Sequence, residues 1–180
     1  MLNIYDREYW RRFVAQSQTD LGKRIYSGRW DLIKKYITKG TVLDYGCGPG
    51  AFNSMGPEEY TKYNYDVNPY CGFTKLENIT YDAVTMWDSI EHIPNFYGVL
   101  KQLNPTWLFL STPNLESVKT PIVEWKHYRP HEHLYYFDRY SLSVILESLG
   151  YEIKETNFDE GYLRDPNNPE AIITVVATKK

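Results

Sequence analysis

The chain has 180 residues, 42% apolar and 16% aromatic, which is long enough for one sizeable core and short for two. No stretch approaches the roughly 20 apolar residues of a membrane span, the N-terminus lacks a secretory pattern, and two cysteines, Cys47 and Cys71, imply no disulfide framework. These features predict one cytoplasmic domain over residues 1–180. The net charge of −3 is unevenly spread, with nine Lys and Arg against four Asp and Glu in residues 1–39 and eleven against nineteen in the remainder. Arg11, Arg12, Lys34 and Lys35 are nevertheless spaced as on an ordinary solvated helix face, so the basic start does not demand a nucleic-acid or membrane partner.

Residues 1–39 read as a helical N-terminal segment. Trp30, Ile33 and Ile37 lie at helical spacing within 22–39, and Gly40 follows as a stop. Four apolar or aromatic bursts come next. Residues 41–45 run into a glycine turn, 60–65 end at Asp66, 81–87 end at Asp88, and 106–111 stop before Thr112-Pro113-Asn114. The stretch 95–103 has room only for a short helix, which makes the strands around it parallel neighbours joined by a right-handed crossover. Asp138 caps a helix with the stripe Leu142, Ile145, Leu146 and Leu149, and Gly150 ends it. Two strands, 151–157 and 171–178, flank a connection rich in Gly, Asp, Asn and Pro and suited to a hairpin. The architecture predicted is an open, doubly wound α/β sheet, mostly parallel with an antiparallel C-terminal edge strand.

In such sheets ligands sit beyond the carboxyl ends of the strands, and the turn after the first strand reads Asp44-Tyr45-Gly46-Cys47-Gly48-Pro49-Gly50-Ala51. Three glycines in five residues allow close approach of the backbone to a ligand. Asp66, at the end of the second strand, can accept hydrogen bonds from the two hydroxyls of a ribose. Together they describe a nucleoside pocket. Gly46-x-Gly48-x-x-Ala51 also satisfies the relaxed dinucleotide fingerprint, so NAD stands as an alternative. Asp44 argues against a pyrophosphate and for a ligand bearing an ammonium and a sulfonium, and Pro49 removes a donor that would cradle phosphate.

The segment 42–50, Val-Leu-Asp-Tyr-Gly-Cys-Gly-Pro-Gly, resembles motif I of class I S-adenosylmethionine-dependent methyltransferases. Residues 81–93 resemble that family's fourth strand and the D-x-x-E-H segment after it. Ser111-Thr112-Pro113-Asn114 and residues 129–137 resemble small members related to the ubiquinone-type O-methyltransferases, including phage-encoded forms. The resemblance implies a Rossmann-like methyltransferase sheet and a cofactor site of Asp44, Tyr45, Gly46, Cys47, Gly48, Gly50, Asp66, Val67, Asn68, Trp87 and Asp88. Only fourteen residues separate Asp66 from Tyr81. The usual helix, third strand and adenine-binding acid are therefore trimmed, and a loop around Val67, Asn68 and Phe73 must recognise adenine.

Methyl transfer from a sulfonium is an in-line displacement, so the protein must align a nucleophile with the methyl carbon and, where that nucleophile carries a proton, supply a base. Of the four histidines, three fall within the 115–137 segment, which such folds use as a substrate lid. His133 and His131 are the expected bases. His92, Trp125, His127, Tyr128, Arg129 and Tyr135 are the expected acceptor contacts, since their rings can stack a flat substrate. Asp88, Glu91 and His92 have ligand types that permit a divalent metal without demanding one, and in ubiquinone-type relatives a matching group is associated with such an ion; no metal is predicted here. Lys126, Arg129 and Arg139 allow an anionic acceptor but are too few for a nucleic-acid surface. The expectation is a methyltransferase acting on O or N of a small, medium-sized or nucleotide-like acceptor. The alternatives are a non-catalytic S-adenosylmethionine-binding protein and an NAD-dependent oxidoreductase.

Overall fold

The computed structural model describes residues 6–180; residues 1–5 of the predicted N-terminal segment lie outside them. The helical segment divides into α1 (Arg7–Ser17) and α2 (Asp20–Tyr36), each begun by a side-chain cap, Asp6 and Thr19. Arg11, Arg12, Lys34 and Lys35 are exposed, as the spacing predicted. The chain then alternates as expected through β1 (Gly40–Tyr45), α3 (Ala51–Ser54), β2 (Tyr60–Tyr65), β3 (Ala83–Trp87), α4 (Phe96–Leu103), β4 (Trp107–Pro113), α5 (Arg139–Ser148) and β5 (Tyr151–Asn157), and after α6 (Asp159–Arg164) it ends with β6 (Ile172–Lys179). Asp138 caps α5 in a capping box with Ser141.

The strands form one sheet of order β2-β1-β3-β4-β6-β5. β2, β1, β3 and β4 pair in parallel, and β6 runs antiparallel between β4 and the edge strand β5. β3 is buried along its whole length, as a parallel strand covered on both faces must be. On one face α4 and α5 supply Phe96, Leu100, Leu142 and Leu146 to a core with Leu43, Val84, Met86 and Leu110. On the other, Trp30 and Ile33 of α2 and Phe52 of α3 pack with Val42, Tyr60, Trp87 and Phe109. No strand lies between β2 and β3 in sequence, so β2 is left as the second edge and the predicted trimming is present.

The β5–β6 connection departs from the expected hairpin. It folds as α6, with Asp159 and Glu160 in the first turn, where the helix dipole favours acids. Gly161 gives α6 its close approach to the 169–171 turn, because a Cβ there would run into the Pro169 carbonyl.

Candidate functional site

β1 carries Asp44 to the C-terminal end of the sheet, where it is 3% exposed. Its Oδ1 accepts a hydrogen bond from Thr85 Oγ1 on β3 at 2.7 Å. Burial raises the Asp44 carboxyl to about 6, against the Thr85 hydrogen bond and the Arg29 charge. In the turn that follows, Gly46 and Gly48 adopt φ of +84° and +52°, a region that costs a side-chain-bearing residue about 1–2 kcal/mol. The two glycines serve different ends. A Cβ on Gly46 would collide with Ser89, whereas one on Gly48 would meet no protein atom within 4 Å. Gly46 lets two loops touch, and Gly48 faces space that a ligand can enter. The N–H groups of Gly46 and Cys47 donate to the Tyr65 carbonyl at 2.8 and 3.1 Å, fastening the turn to β2.

Asp66 closes the other side. Its Oδ2 accepts from the Gly48 N–H at 2.8 Å and its Oδ1 from the Asn68 N–H at 2.7 Å. Burial raises this carboxyl, with those N–H groups opposing. Each oxygen retains a further lone pair, so Asp66 ties the turn and keeps acceptor capacity. Val67 beside it is 61% exposed, while Asn68 is buried and its side chain accepts from the Tyr70 N–H. Tyr45 packs on Tyr65 with ring centroids 4.7 Å apart.

At the end of β3, Trp87 is buried with the Arg29 guanidinium 4.8 Å from its ring centroid. Asp88, expected beside the cofactor or a metal, is held at φ +50° and bonds Arg29 at 3.1 Å and Arg164. Arg29 also donates through Nε and Nη2 to Glu160 at 3.0 and 2.6 Å, and Arg164 bonds the same carboxylate. Arg29 and Glu160 are 8% and 7% exposed. Burial pulls Asp88 upward, but Arg164 and then Arg29 outweigh it and hold the carboxyl below its ordinary range. Two cations and two carboxylates thus form a network, buried at Arg29 and Glu160 and half-buried at Asp88 and Arg164, that joins α2, the end of β3 and α6. The sequence reading missed three of its members. Arg29 left one trace, its place on the inward stripe Ile25, Arg29, Ile33; Glu160 and Arg164 left none, being in a segment that read as a hairpin loop.

Beyond Asp88, Glu91 is 1% exposed, and its oxygens make no hydrogen bond of ordinary geometry among the described residues, although the nearby Thr112 hydroxyl favours its ionised form. Burial, then the Asp88 charge, pushes it up to about 8. His92 Nδ1 lies 2.9 Å from the Glu132 carbonyl, so Nδ1 carries the proton and Nε2, 3.9 Å from Glu91 Oε1, is bare. His133 is buried with its ring 4.7 Å from that of His92. Glu91, His92 and His133 present donor atoms within 4.8 Å of one another. The set able to hold a metal therefore exchanges Asp88 for His133.

The 125–137 segment is pinned here by the Leu134 and Tyr135 N–H groups, which donate to the Glu91 carbonyl at 2.8 and 3.3 Å. Burial lowers His127 and His133 to about 4, leaving both neutral at pH 7. Trp125 Nε1 and His127 Nε2 are buried without partners, and their rings lie 5.3 Å apart. Tyr128 stacks on Tyr136, and Tyr135 donates its hydroxyl to the Pro94 carbonyl at 2.6 Å. His131 is exposed and apart from this group. Arg129, Lys126 and Arg139 are each matched with an acid, Glu132, Asp165 and Glu116.

A glycine turn bounded by a buried and a half-buried carboxylate, at the carboxyl ends of β1 and β2, has a counterpart among known proteins. A family model described as a methyltransferase domain matches residues 7–156. The chain belongs to the methyltransferase-domain family. This methyltransferase shares its fold with a SAM-dependent methyltransferase from Archaeoglobus fulgidus, at 17% identity and TM-score 0.67 over 93% of this chain and 99% of that one. One from Aquifex aeolicus is 16% identical with TM-score 0.58, covering 97% and 99% of the two chains. The small RNA methyltransferase HEN1 is 19% identical with TM-score 0.62, over 89% of this chain and 26% of its own. No curated protein sequence matches the chain. A methyltransferase family agrees with the S-adenosylmethionine reading of the glycine turn rather than with the NAD one. Among the described residues, no helix is long and apolar enough to cross a membrane.

Proposed function

We propose that this methyltransferase acts as a single domain on an oxygen or nitrogen of a small or medium-sized acceptor, which the 115–137 segment covers as a lid. The observation that supports the reading most is a pair of residue groups at the carboxyl ends of the parallel strands: an open glycine turn between Asp44 and Asp66 after β1 and β2, and the buried His92 and His133 rings 4.7 Å apart beyond β3. In this reading the cofactor's ammonium lies against Asp44 and its carboxylate toward Arg29, whose charge already acts on Asp44. The backbone from Tyr45 to Gly50 follows the methionine and ribose, Asp66 takes the ribose hydroxyls, and Val67 with Asn68 faces the adenine. Trp87 and the Asp88 network wall the methyl end. In the metal-free site His133 would take the acceptor's proton, and S-adenosylmethionine when bound would supply the methyl group and leave as S-adenosylhomocysteine. His92, His127, Trp125 and Tyr128 surround the acceptor. His131 has no part.

The transfer itself needs no metal, but Glu91, His92 and His133 fit a divalent cation, because the partnerless buried carboxylate and the bare Nε2 of an anchored imidazole are the donors such an ion takes. When bound, such an ion acidifies a hydroxyl ligand. That chemistry favours oxygen over nitrogen and agrees with kinship to ubiquinone-type and phage-encoded O-methyltransferases, which rests on residues 111–114 and 129–137. HEN1 is named for small RNA. For this chain the matched charges of Lys126, Arg129 and Arg139 favour a smaller acceptor.

Calorimetric titration with S-adenosylmethionine, S-adenosylhomocysteine and NAD, followed by an acceptor screen reading S-adenosylhomocysteine formation, tests the reading. Binding of the first two alone, with turnover on a hydroxylated acceptor, is expected. Binding without turnover on any acceptor class would make the protein a non-catalytic binder, and NAD binding alone would overturn the assignment.

A further inference from the structure

β3 reads Ala83-Val84-Thr85-Met86-Trp87, a strand buried at every position, and Thr85 is its one aliphatic hydroxyl, at 0% exposure. A buried hydroxyl is costly unless bonded, and valine would fill the same volume in such a strand without that cost. The parallel register sets Thr85 directly beside Asp44. Its Oγ1 lies 2.7 Å from Asp44 Oδ1 and 3.4 Å from the Leu43 carbonyl. A hydroxyl has one proton to give, and the shorter contact directs it to the carboxylate. The β-branched side chain has few rotamers, so the donor is aimed by the strand itself.

We infer that Thr85 is a positioning residue for the cofactor: its hydroxyl holds Asp44 in the ionised form and turns the second carboxylate oxygen toward the cofactor's ammonium. This rests on the assignment of Asp44 to that ammonium made above. The groups acting on Asp44 are Arg29 from α2, which stabilises its charge, and Asp66 after β2, which opposes it; Tyr26 of α2 and Cys47 of the glycine turn feel its charge in return. Burial already brings Asp44 to about 6, so little margin separates it from protonation near neutrality, and the Thr85 bond is the largest influence opposing burial. Without it, the carboxyl takes up its proton at higher pH, and a neutral acid has no charge to offer an ammonium.

The test is calorimetric binding of S-adenosylhomocysteine from pH 5 to 7.5 to the full chain and to Thr85→Val and Thr85→Ser. That range stays below the loss of the ligand's own α-amino proton, near about 7.7–8 for an α-amine. Wild-type affinity should fall as pH drops through the Asp44 midpoint. In Thr85→Val the fall should begin at higher pH, with affinity at pH 7 reduced about twofold for a one-unit displacement and about tenfold for two, and Thr85→Ser should restore the wild-type profile. A Thr85→Val protein with the wild-type profile overturns the inference and leaves the cofactor assignment standing. Equal weakening at every pH overturns it too, by making Thr85 a packing residue. Thermal melts establish that each variant is folded, and Thr85→Ala replaces a valine variant that is not. A wild-type protein that binds at no pH sinks the cofactor assignment and this inference together.

Discussion

The two halves of the proposed site, the glycine turn on the cofactor side and the histidine cluster on the acceptor side, are built by different rules. Around the glycine turn the carboxylates already have partners: Asp44 takes the Thr85 hydroxyl, Asp66 takes the Gly48 and Asn68 N–H groups, and the turn hangs from the Tyr65 carbonyl, though Trp87 Nε1 at the end of β3 has none among the described residues. Around the histidines, both Glu91 oxygens, His127 Nε2 and Trp125 Nε1 are buried without a partner among the described residues. Hydrogen bonds offset part of the cost of burying a carboxylate and hold its shape before the ligand arrives, whereas each unsatisfied buried group costs about 1–3 kcal/mol until something pairs with it. The cofactor side is preorganised; the acceptor side is arranged to be completed by what it binds.

The largest effect should come from the joint between the sides. Arg29→Leu leaves Glu160 buried beside Arg164 alone, and should cost about 3–5 kcal/mol of stability by urea denaturation. A loss near that of a surface substitution would mean that the network is not shared. The unsatisfied side should also show itself in pH dependence. Glu91 titrates near 8 in the folded protein and near its ordinary 4.5 when unfolded, so the stability it contributes is complete below 4.5 and is lost as pH rises toward 8. Thermal melts from pH 6.5 to 8, where His127 and His133 are neutral folded or unfolded, should therefore decline, Glu91→Gln should flatten the decline, and a divalent cation should offset it if one binds there. An identical slope in Glu91→Gln would remove Glu91 as its source.

Smaller effects sharpen the cofactor side. Asp66→Ala should weaken S-adenosylhomocysteine binding by about 1.5–3 kcal/mol through lost charge-assisted hydrogen bonds; unchanged affinity in calorimetry would end the ribose assignment. Gly48→Ala should cost about 1–2 kcal/mol of stability from its backbone angle alone while obstructing the cofactor, whereas Gly46→Ala should disrupt the fold through Ser89. Should the two variants melt alike, the distinction between packing glycine and approach glycine fails. Least of all, Lys126→Ala, which breaks an exposed pair with Asp165, should leave the melting temperature and cofactor affinity unchanged.

What the amino-acid order determined by itself was local. The strand ends at Tyr45, Tyr65 and Trp87, the glycine turn, Asp66 and the capped helix after Asp138 were legible because each is written in a few consecutive residues whose spacing matches a strand, a turn or a helix. The missing third strand was legible too, as a shortage of residues between Asp66 and Tyr81. Only the tertiary structure decided which distant groups meet. Arg29, Asp88, Glu160 and Arg164 come from three elements spread over most of the chain, and His133 joins Glu91 and His92 across forty-odd residues of loop and helix. A buried charge and its partner share no periodicity, and whether a histidine is ligand, base or bystander depends on what burial takes from it. His131 and His133, two residues apart, read alike in the sequence; one is in solvent, and the other is sealed against His92 because Leu134 and Tyr135 are hydrogen-bonded to the backbone of Glu91.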